Sequence, residues 1–282
     1  TDTEVILHLY EEEEENCVHK LRGMFAFAIW NQKLHKLILC RDRVGIKPLY
    51  YMPLNGNLVF GSEIKSILRY LKEKPKVNLK AINEYITFGY VVGQETIFKG
   101  IYKLLPGHIL VSTKDKLSIK QYWDLGFNNG KIKPETHYIN ELKSLLQESV
   151  KLHLQSDVPV GVFLSGGIDS STVVGLVSAL HTQKLKTFSA VFNNGGGYSE
   201  SEYSWLIARQ FNTDHYEVSV SPKEFKDFIP DFIWYQEEPT TDPSGIPLYY
   251  VSKLASQHVK VMLSGEGSDE IFAGYPRYFQ WK

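Results

Sequence analysis

Residues 160–170 read Val160-Gly161-Val162-Phe163-Leu164-Ser165-Gly166-Gly167-Ile168-Asp169-Ser170. The run from Val158 to Leu164 is apolar without alternation, which suits a strand covered on both faces, as in a parallel sheet. Gly166 and Gly167 then let the backbone turn tightly and bring its N–H groups close to an anion. A helix near 170–181 would follow at once, adding unpaired donors and partial positive charge at its start. Asp169 places a carboxylate beside that cradle, where magnesium would bridge protein and pyrophosphate. The plainer reading is a glycine turn with Asp or Ser capping a helix. Strand, turn and helix in immediate succession favour the phosphate cradle.

Working outward, the periodicity predicts a helix over 135–154, a strand at 187–192, a helix at 200–211 and a strand at 215–220. Helices near 223–235 and 247–257 and a strand at 259–263 complete the series. Such alternation with apolar strands means a parallel sheet with helices on both faces. Right-handed crossovers put the loops after its strands along one edge, where ligands bind. The loop Ser264-Gly265-Glu266-Gly267-Ser268-Asp269-Glu270 should therefore face the same cleft as Ser165–Ser170. Acids at 266, 269 and 270 repel one another unless a cation or cationic substrate sits among them, the alternative being a solvated acidic turn.

The first half reads differently, as short strands at 24–31, 36–41, 49–52, 58–61 and 108–113, with another ending near Trp123. Phe25, Phe27 and Ile29 would share one face, and Asn55-Gly56 signals a hairpin. A helical pattern begins after Ser62 with Ile64, Ile67, Leu68 and Leu71, and the acidic run Glu11–Glu15 reads as a solvated helix end. Residues 126–134, rich in Gly, Asn and Pro, form the linker between a domain at 1–125 and one at 135–282. A chain of 282 residues matches a two-domain prior. It opens on Thr1 and stops at Lys282 in an aromatic stretch, so it reads as an internal piece of a longer protein.

Composition narrows the classes. Hydrophobic residues at 43% and charged ones at 22% are globular usage, and a net charge of −1 gives no nucleic-acid footprint. No apolar run approaches the ~20 residues needed to span a bilayer, so no membrane partner is expected. Two cysteines, Cys17 and Cys40, make no disulfide framework and favour a reducing, cytoplasmic setting. Other motifs fail on spacing. Gly126–Lys131 is one residue short of a Walker loop, and Glu270 occupies the third glycine position of a dinucleotide fingerprint. Ser165 and Ser264 lack the preceding glycine of a nucleophile elbow, and no H-E-x-x-H occurs.

The blocks G-V-F-L-S-G-G-I-D-S-S-T-V-V-G at 161–175 and L-S-G-E-G-S-D-E-I-F-A-G-Y at 263–275 resemble the ATP pyrophosphatase core of glutamine-hydrolysing asparagine synthetases. The front half is similar to the same family at T-D-T-E-V-I-L (1–7), L-R-G-M-F-A-F-A-I-W (21–30), R-D-R-V-G-I-K-P-L-Y-Y (41–51), F-G-S-E-I-K-S-I-L (60–68) and L-P-G-H (105–108). The resemblance implies part of an α+β, N-terminal nucleophile-type glutamine amidotransferase sandwich. An α/β parallel-sheet ATP pyrophosphatase domain, also partial, would follow it. It implies a ligase of asparagine biosynthesis that uses aspartate, glutamine and ATP with Mg2+. Its reaction would pass through β-aspartyl-AMP and release AMP and pyrophosphate, with a homodimer left open. Position by position, Asp2 would bind the substrate glutamine. Leu164, Val191, Ser264 and Gly265 would contact adenosine, and Ser165, Gly166, Gly167 and Ser170 would hold pyrophosphate. Asp169 and Asp269 would attend magnesium, Glu266 would serve formation and amidation of the adenylate, and Tyr275 would stand near the same pocket. The N-terminal cysteine and the oxyanion segment of the family are not among the 282 residues, so this piece is expected not to hydrolyse glutamine. Alternatives are a β-lactam or other amide synthetase of the same architecture, or a non-catalytic nucleotide-binding relative.

Overall fold

A computed structural model describes residues 1–127, 130–180, 183–192 and 201–279, in two compact units. The first comprises Thr1–Asn129 with Ile233–Asp242, the second Gly130–Phe232 with Pro243–Lys282. No helix among the described residues is long and apolar enough to cross a membrane.

The first unit opens with α1 (Asp2–Glu13), which ends within the acidic run read as a helix end. Thr1 and Glu4 close a reciprocal capping box at its start, satisfying donors the helix itself cannot. The Glu11–Glu15 run does more than face solvent: Lys20 pairs with Glu13, Lys36 with Glu14 and Glu15, and Lys120 with Glu15. Strands β1 (Ala26–Asn31) and β2 (Lys36–Arg41) follow. Next come β3 (Tyr50–Leu54), β4 (Asn57–Gly61), α2 (Ile64–Tyr70) and α3 (Leu79–Phe88), then β5 (Tyr102–Lys103), β6 (His108–Ser112) and β7 (Leu117–Gln121). They form two antiparallel sheets, ordered β1-β2-β6-β7 and β4-β3-β5.

Strand alternation sets the layers. Ile38, Cys40, Ile109 and Val111 turn to one face of the larger sheet, where Ile29, Phe25 and Phe27 join them against Ile6, Leu9 and Tyr10 of α1. Leu39 and Leu110 turn to the other face and meet Tyr51 of the smaller sheet and Leu49 just before it. Ile64 and Ile67 of α2 cover that sheet's far side with Met52 and Val59. The order is helix, sheet, sheet, helix. Asn55 and Gly56, at φ 49° and 77°, close the β3–β4 hairpin as the dipeptide predicted. The segment after β2 is held by its own first residues. Buried Asp42 accepts from the Ile46 and Lys47 N–H groups at 3.0 and 2.9 Å, and Arg41 donates to the carbonyls of Lys47, Leu104 and Gly45.

The second unit contains α4 (Glu135–His153), β8 (Val160–Phe163), α5 (Ile168–Leu180), β9 (Lys186–Val191), α6 (Ser201–Gln210), β10 (Asp214–Ser219), α7 (Pro222–Gln236, its end counted with the first unit), α8 (Gly245–Ala255), β11 (Val261–Leu263) and α9 (Ser268–Phe272). The outer ends of the helices expected at 170–181 and 200–211, and positions 128–129 of the linker, lie outside the described residues. The sheet runs β10-β9-β8-β11 with every pair parallel. Val162, Leu164, Val174, Val177 and Ala208 fill the side under α5 and α6, while Phe188, Val251, Ala255 and Val259 fill the side under α8. Apolar residues on both faces of β8 therefore reflect two helical layers, as its unbroken apolar run predicted.

Candidate functional site

β8 stops at Phe163, and the next residues build a loop around two serines. The Ser165 N–H donates to Ser170 Oγ at 3.2 Å, and the two hydroxyl oxygens lie 3.0 Å apart. Ser170 in turn donates to the Gly167 carbonyl at 3.1 Å, and the Gly167 N–H donates to Ser165 Oγ at 3.2 Å. Gly166, at φ 91°, leaves room for α6: a Cβ there would lie 2.6 Å from Tyr203 Cβ and 2.8 Å from the Ser204 nitrogen. Only a residue without a side chain suits both demands.

The second loop meets the first directly. A Cβ on Gly265 would stand 2.9 Å from Asp169 Cβ and 3.1 Å from the Asp169 carbonyl carbon, so the missing side chain lets the loops touch. The Glu266 N–H donates to Ser264 Oγ at 3.3 Å, and Gly267, at φ 86°, turns the chain into α9. Asp269 rests its carboxylate against Gly274, and the Tyr275 hydroxyl donates to Glu270 at 3.0 Å.

Between the loops lies a cavity of about 420 Å³. Leu164, Ser165, Asp169, Ser170, Ser264, Gly265, Glu266, Asp269 and Tyr275 all line it, so nine of the residues singled out in the sequence share one cleft. Gly166 and Gly167 do not line it, and Gly166 serves the packing against α6. Val191 is not on the wall either. Its neighbours Ala190 and Phe192 are, with Phe188 and Ser189. The start of α8 adds Ser244, Pro247 and Leu248, which the sequence reading had not singled out. The only sequence signal for these was the rule that successive strand ends share an edge. Asp2 belongs to the first unit, where it is exposed in the first turn of α1 and accepts from the Thr3 N–H at 2.8 Å.

Among the described residues no group of three or more His, Cys, Asp or Glu gathers as a metal site. Asp169 and Asp269, two of the three carboxylates on the cavity wall, fit the way magnesium is usually held, by one or two carboxylates with substrate phosphates supplying the other oxygens. The cysteines offer no nucleophile. Both are buried and free, and burial pushes the Cys40 thiol up to about 12 and raises Cys17 as well. A thiolate is the reactive form, so these two are packing residues. A further cavity of about 460 Å³ lies in the first unit, beside Tyr50, Lys103, Glu237 and Glu238. Lys103 pairs with Glu238 at 3.3 Å, and Glu237 accepts from the Ile64 and Lys65 N–H groups, both at 2.7 Å, at the start of α2.

A parallel sheet whose strand-end loops converge on one cleft defines an α/β ligand-binding domain, here preceded by a layered α+β unit. Residues 141–282 match the asparagine synthase family and residues 1–123 the glutamine amidotransferase domain; the chain belongs to the asparagine synthase family. Asparagine synthetase [glutamine-hydrolyzing] 1 of Bacillus subtilis is 39% identical over 279 residues, covering 99% of this chain and 44% of that protein. The putative asparagine synthetase [glutamine-hydrolyzing] 2 of Methanocaldococcus jannaschii is 39% identical over 280 residues, covering 98% and 54%. Amidase chyE of Penicillium rubens is 33% identical over 296 residues, covering 99% and 44%. The chain spans about half the length of the curated relatives it matches.

Proposed function

We propose that the protein makes asparagine from aspartate by ATP-dependent adenylation, with ammonia drawn from glutamine. The observation that carries this reading is the convergence of the Ser165–Ser170 and Ser264–Asp269 loops on one cavity in a chain of the asparagine synthase family. A carboxylate is a poor acyl donor because its leaving group would be oxide. Attack of the aspartate β-carboxylate on the α-phosphorus of ATP expels pyrophosphate and converts that oxygen into part of a phosphate leaving group. Ammonia then attacks the acyl carbon and AMP departs, so each bond broken is matched by one formed. Leu164, Val191, Ser264 and Gly265 would contact adenosine, with Ala190, beside Val191, on the β9 wall. The Ser165–Ser170 loop and the start of α5 would bind the pyrophosphate, where backbone donors favour anions. Asp169 and Asp269 would hold Mg2+, which would neutralise charge on the phosphates. Glu266, exposed at the cavity mouth, would act on the aspartyl adenylate and the incoming amine.

The first unit is proposed to be part of an N-terminal nucleophile-type amidotransferase, supported by its helix–sheet–sheet–helix layering and its family match. Asp2 would receive the α-amino group of glutamine there. Buried, reduced Cys17 and Cys40 are in keeping with a cytoplasmic setting. The relatives named amidase, matched over a similar share of the chain, support a second reading in which the same chemistry serves a different carboxylate.

Aspartate labelled with 18O in its β-carboxylate tests the reading. In the full-length protein, AMP should carry one 18O per turnover when adenylation occurs. Unlabelled AMP, or none, contradicts it.

A further inference from the structure

β9 and β10 bury polar side chains on a shared face, with Thr187 opposite His215 and Ser189 opposite Glu217. His215 has no exposed side-chain surface. Its Nδ1 lies 2.9 Å from Thr187 Oγ1, which is 2.8 Å from Thr213 Oγ1. Its Nε2 lies 3.4 Å from both Ser189 Oγ and Glu217 Oε1. The Glu217 carboxylate already accepts from Ser201 and Ser204, at 2.9 and 3.2 Å, and can only accept. The Nε2 atom therefore carries the proton and Nδ1 accepts from Thr187. Burial, which pushes the imidazole below its ordinary value, keeps His215 in this neutral form despite Glu217.

That one N–H is shared between Glu217 and the Ser189 hydroxyl oxygen, and Ser189 places its own proton on the carbonyl of Leu164. That carbonyl sits where the ladder ends. The Leu164 N–H still pairs with the Phe188 carbonyl at 2.9 Å, after which the chain leaves β9. The other end of the same peptide plane, the Ser165 N–H, is held by Ser170 Oγ. Two serines thus grip one peptide at the root of the phosphate loop, one from the loop itself and one from the neighbouring strand.

We propose that Ser189, oriented by His215 and Glu217, is a positioning residue for the triphosphate of ATP. By fixing the Leu164–Ser165 peptide plane it presets the loop that follows. This rests on the nucleotide reading of the cavity.

The test compares equilibrium binding of Mg-ATP and of adenosine to the wild-type full-length protein and to its Ser189→Ala and Ser189→Thr variants. Loss of the hydroxyl should weaken ATP about tenfold, the scale of one lost hydrogen bond, and leave adenosine within about twofold. Ser189→Thr, which keeps the donor, should bind ATP within about threefold of wild type. Equal weakening of both ligands, no change in Ser189→Ala, or a threonine variant as weak as the alanine one overturns the proposal. Should Ser189→Ala not fold, a Ser189→Thr chain that folds but loses the ATP preference overturns it equally. If the full-length wild type binds neither ligand, the nucleotide reading itself falls.

Discussion

Glu266 and Asp169 line the same cavity but should fail differently when altered. Glu266→Ala should abolish AMP formation by at least about a hundredfold while ATP still binds, because the residue is proposed to act on the adenylate and not on the nucleotide. Asp169→Ala should weaken Mg-ATP binding itself, which titration calorimetry would show. Loss of ATP binding in the Glu266 variant contradicts the division. Gly265→Ala is a packing test of the same site. Its Cβ would stand 2.9 Å from Asp169 Cβ, so the loops must separate, and ATP affinity should fall about tenfold. Unchanged affinity in that variant would mean the loop contact does not shape the cleft. At this scale the sequence was most informative where residue type and spacing are demanding. Ser165, Asp169, Gly265 and Asp269 stand in motifs that few other contexts require. Val191 lies off the cavity wall between Ala190 and Phe192, which line it, and nothing in a short strand's sequence fixes contact to a single residue. Ser189 and His215 were illegible because their roles arise from cross-strand pairing.

α3 escaped the sequence reading although Leu79, Ile82, Tyr85 and Ile86 recur in it at helical spacing. Leu79, Ile86 and Phe88 are exposed and only Ala81 is buried. Its ends also carry clear chemistry. Asn78 accepts from the Ala81 N–H, and Gly89, at φ 83°, terminates the helix with its N–H on the Tyr85 carbonyl. Asn78 also donates to Glu95 at 2.7 Å and to the Thr96 carbonyl at 3.1 Å, so it ties the helix to the following loop. Asn78→Ala should cost about 1–2 kcal/mol, read as a lower urea midpoint. A midpoint equal to wild type would remove the cap from the account. β8 was legible because burial on both faces demands an unbroken apolar run, and β9 and β10, with polar side chains on one face, from their place in the alternation of strands and helices. β5, with two residues, is too short for any pattern.

Across the whole molecule, packing does not follow chain order. Residues 233–242 belong with the first unit, where Glu237 caps α2 from a position 173 residues further along the chain. Such pairings leave no local trace, which is why a linker rich in Gly, Asn and Pro was the strongest boundary signal available. Acid stability is also a property of the assembled sheet. Burial would raise the Glu217 carboxyl, but hydrogen bonds from Trp205, Ser201, His215 and Ser204 hold it below its ordinary value. Burial lowers His215 from its usual 6.5. Both groups bind protons more readily when the chain unfolds, so each stabilises the fold at neutral pH and withdraws that support in acid. For His215 the loss begins as pH falls below about 6.5, and for Glu217 it follows below about 4.5. The melting temperature should decline between pH 7 and 5, and His215→Gln should flatten that decline. An identical slope in the variant would exclude His215 as its source.

The central claim is that this chain forms the nucleotide site of an aspartate-adenylating synthetase. The most direct measurement is the aspartate dependence of ATP turnover by the full-length protein, with AMP, ADP and asparagine followed together and glutamine or ammonia as nitrogen donor. The account predicts AMP and pyrophosphate only when aspartate is present, and asparagine in equal amount. Production of ADP, or AMP formed only with a different carboxylate, would contradict it.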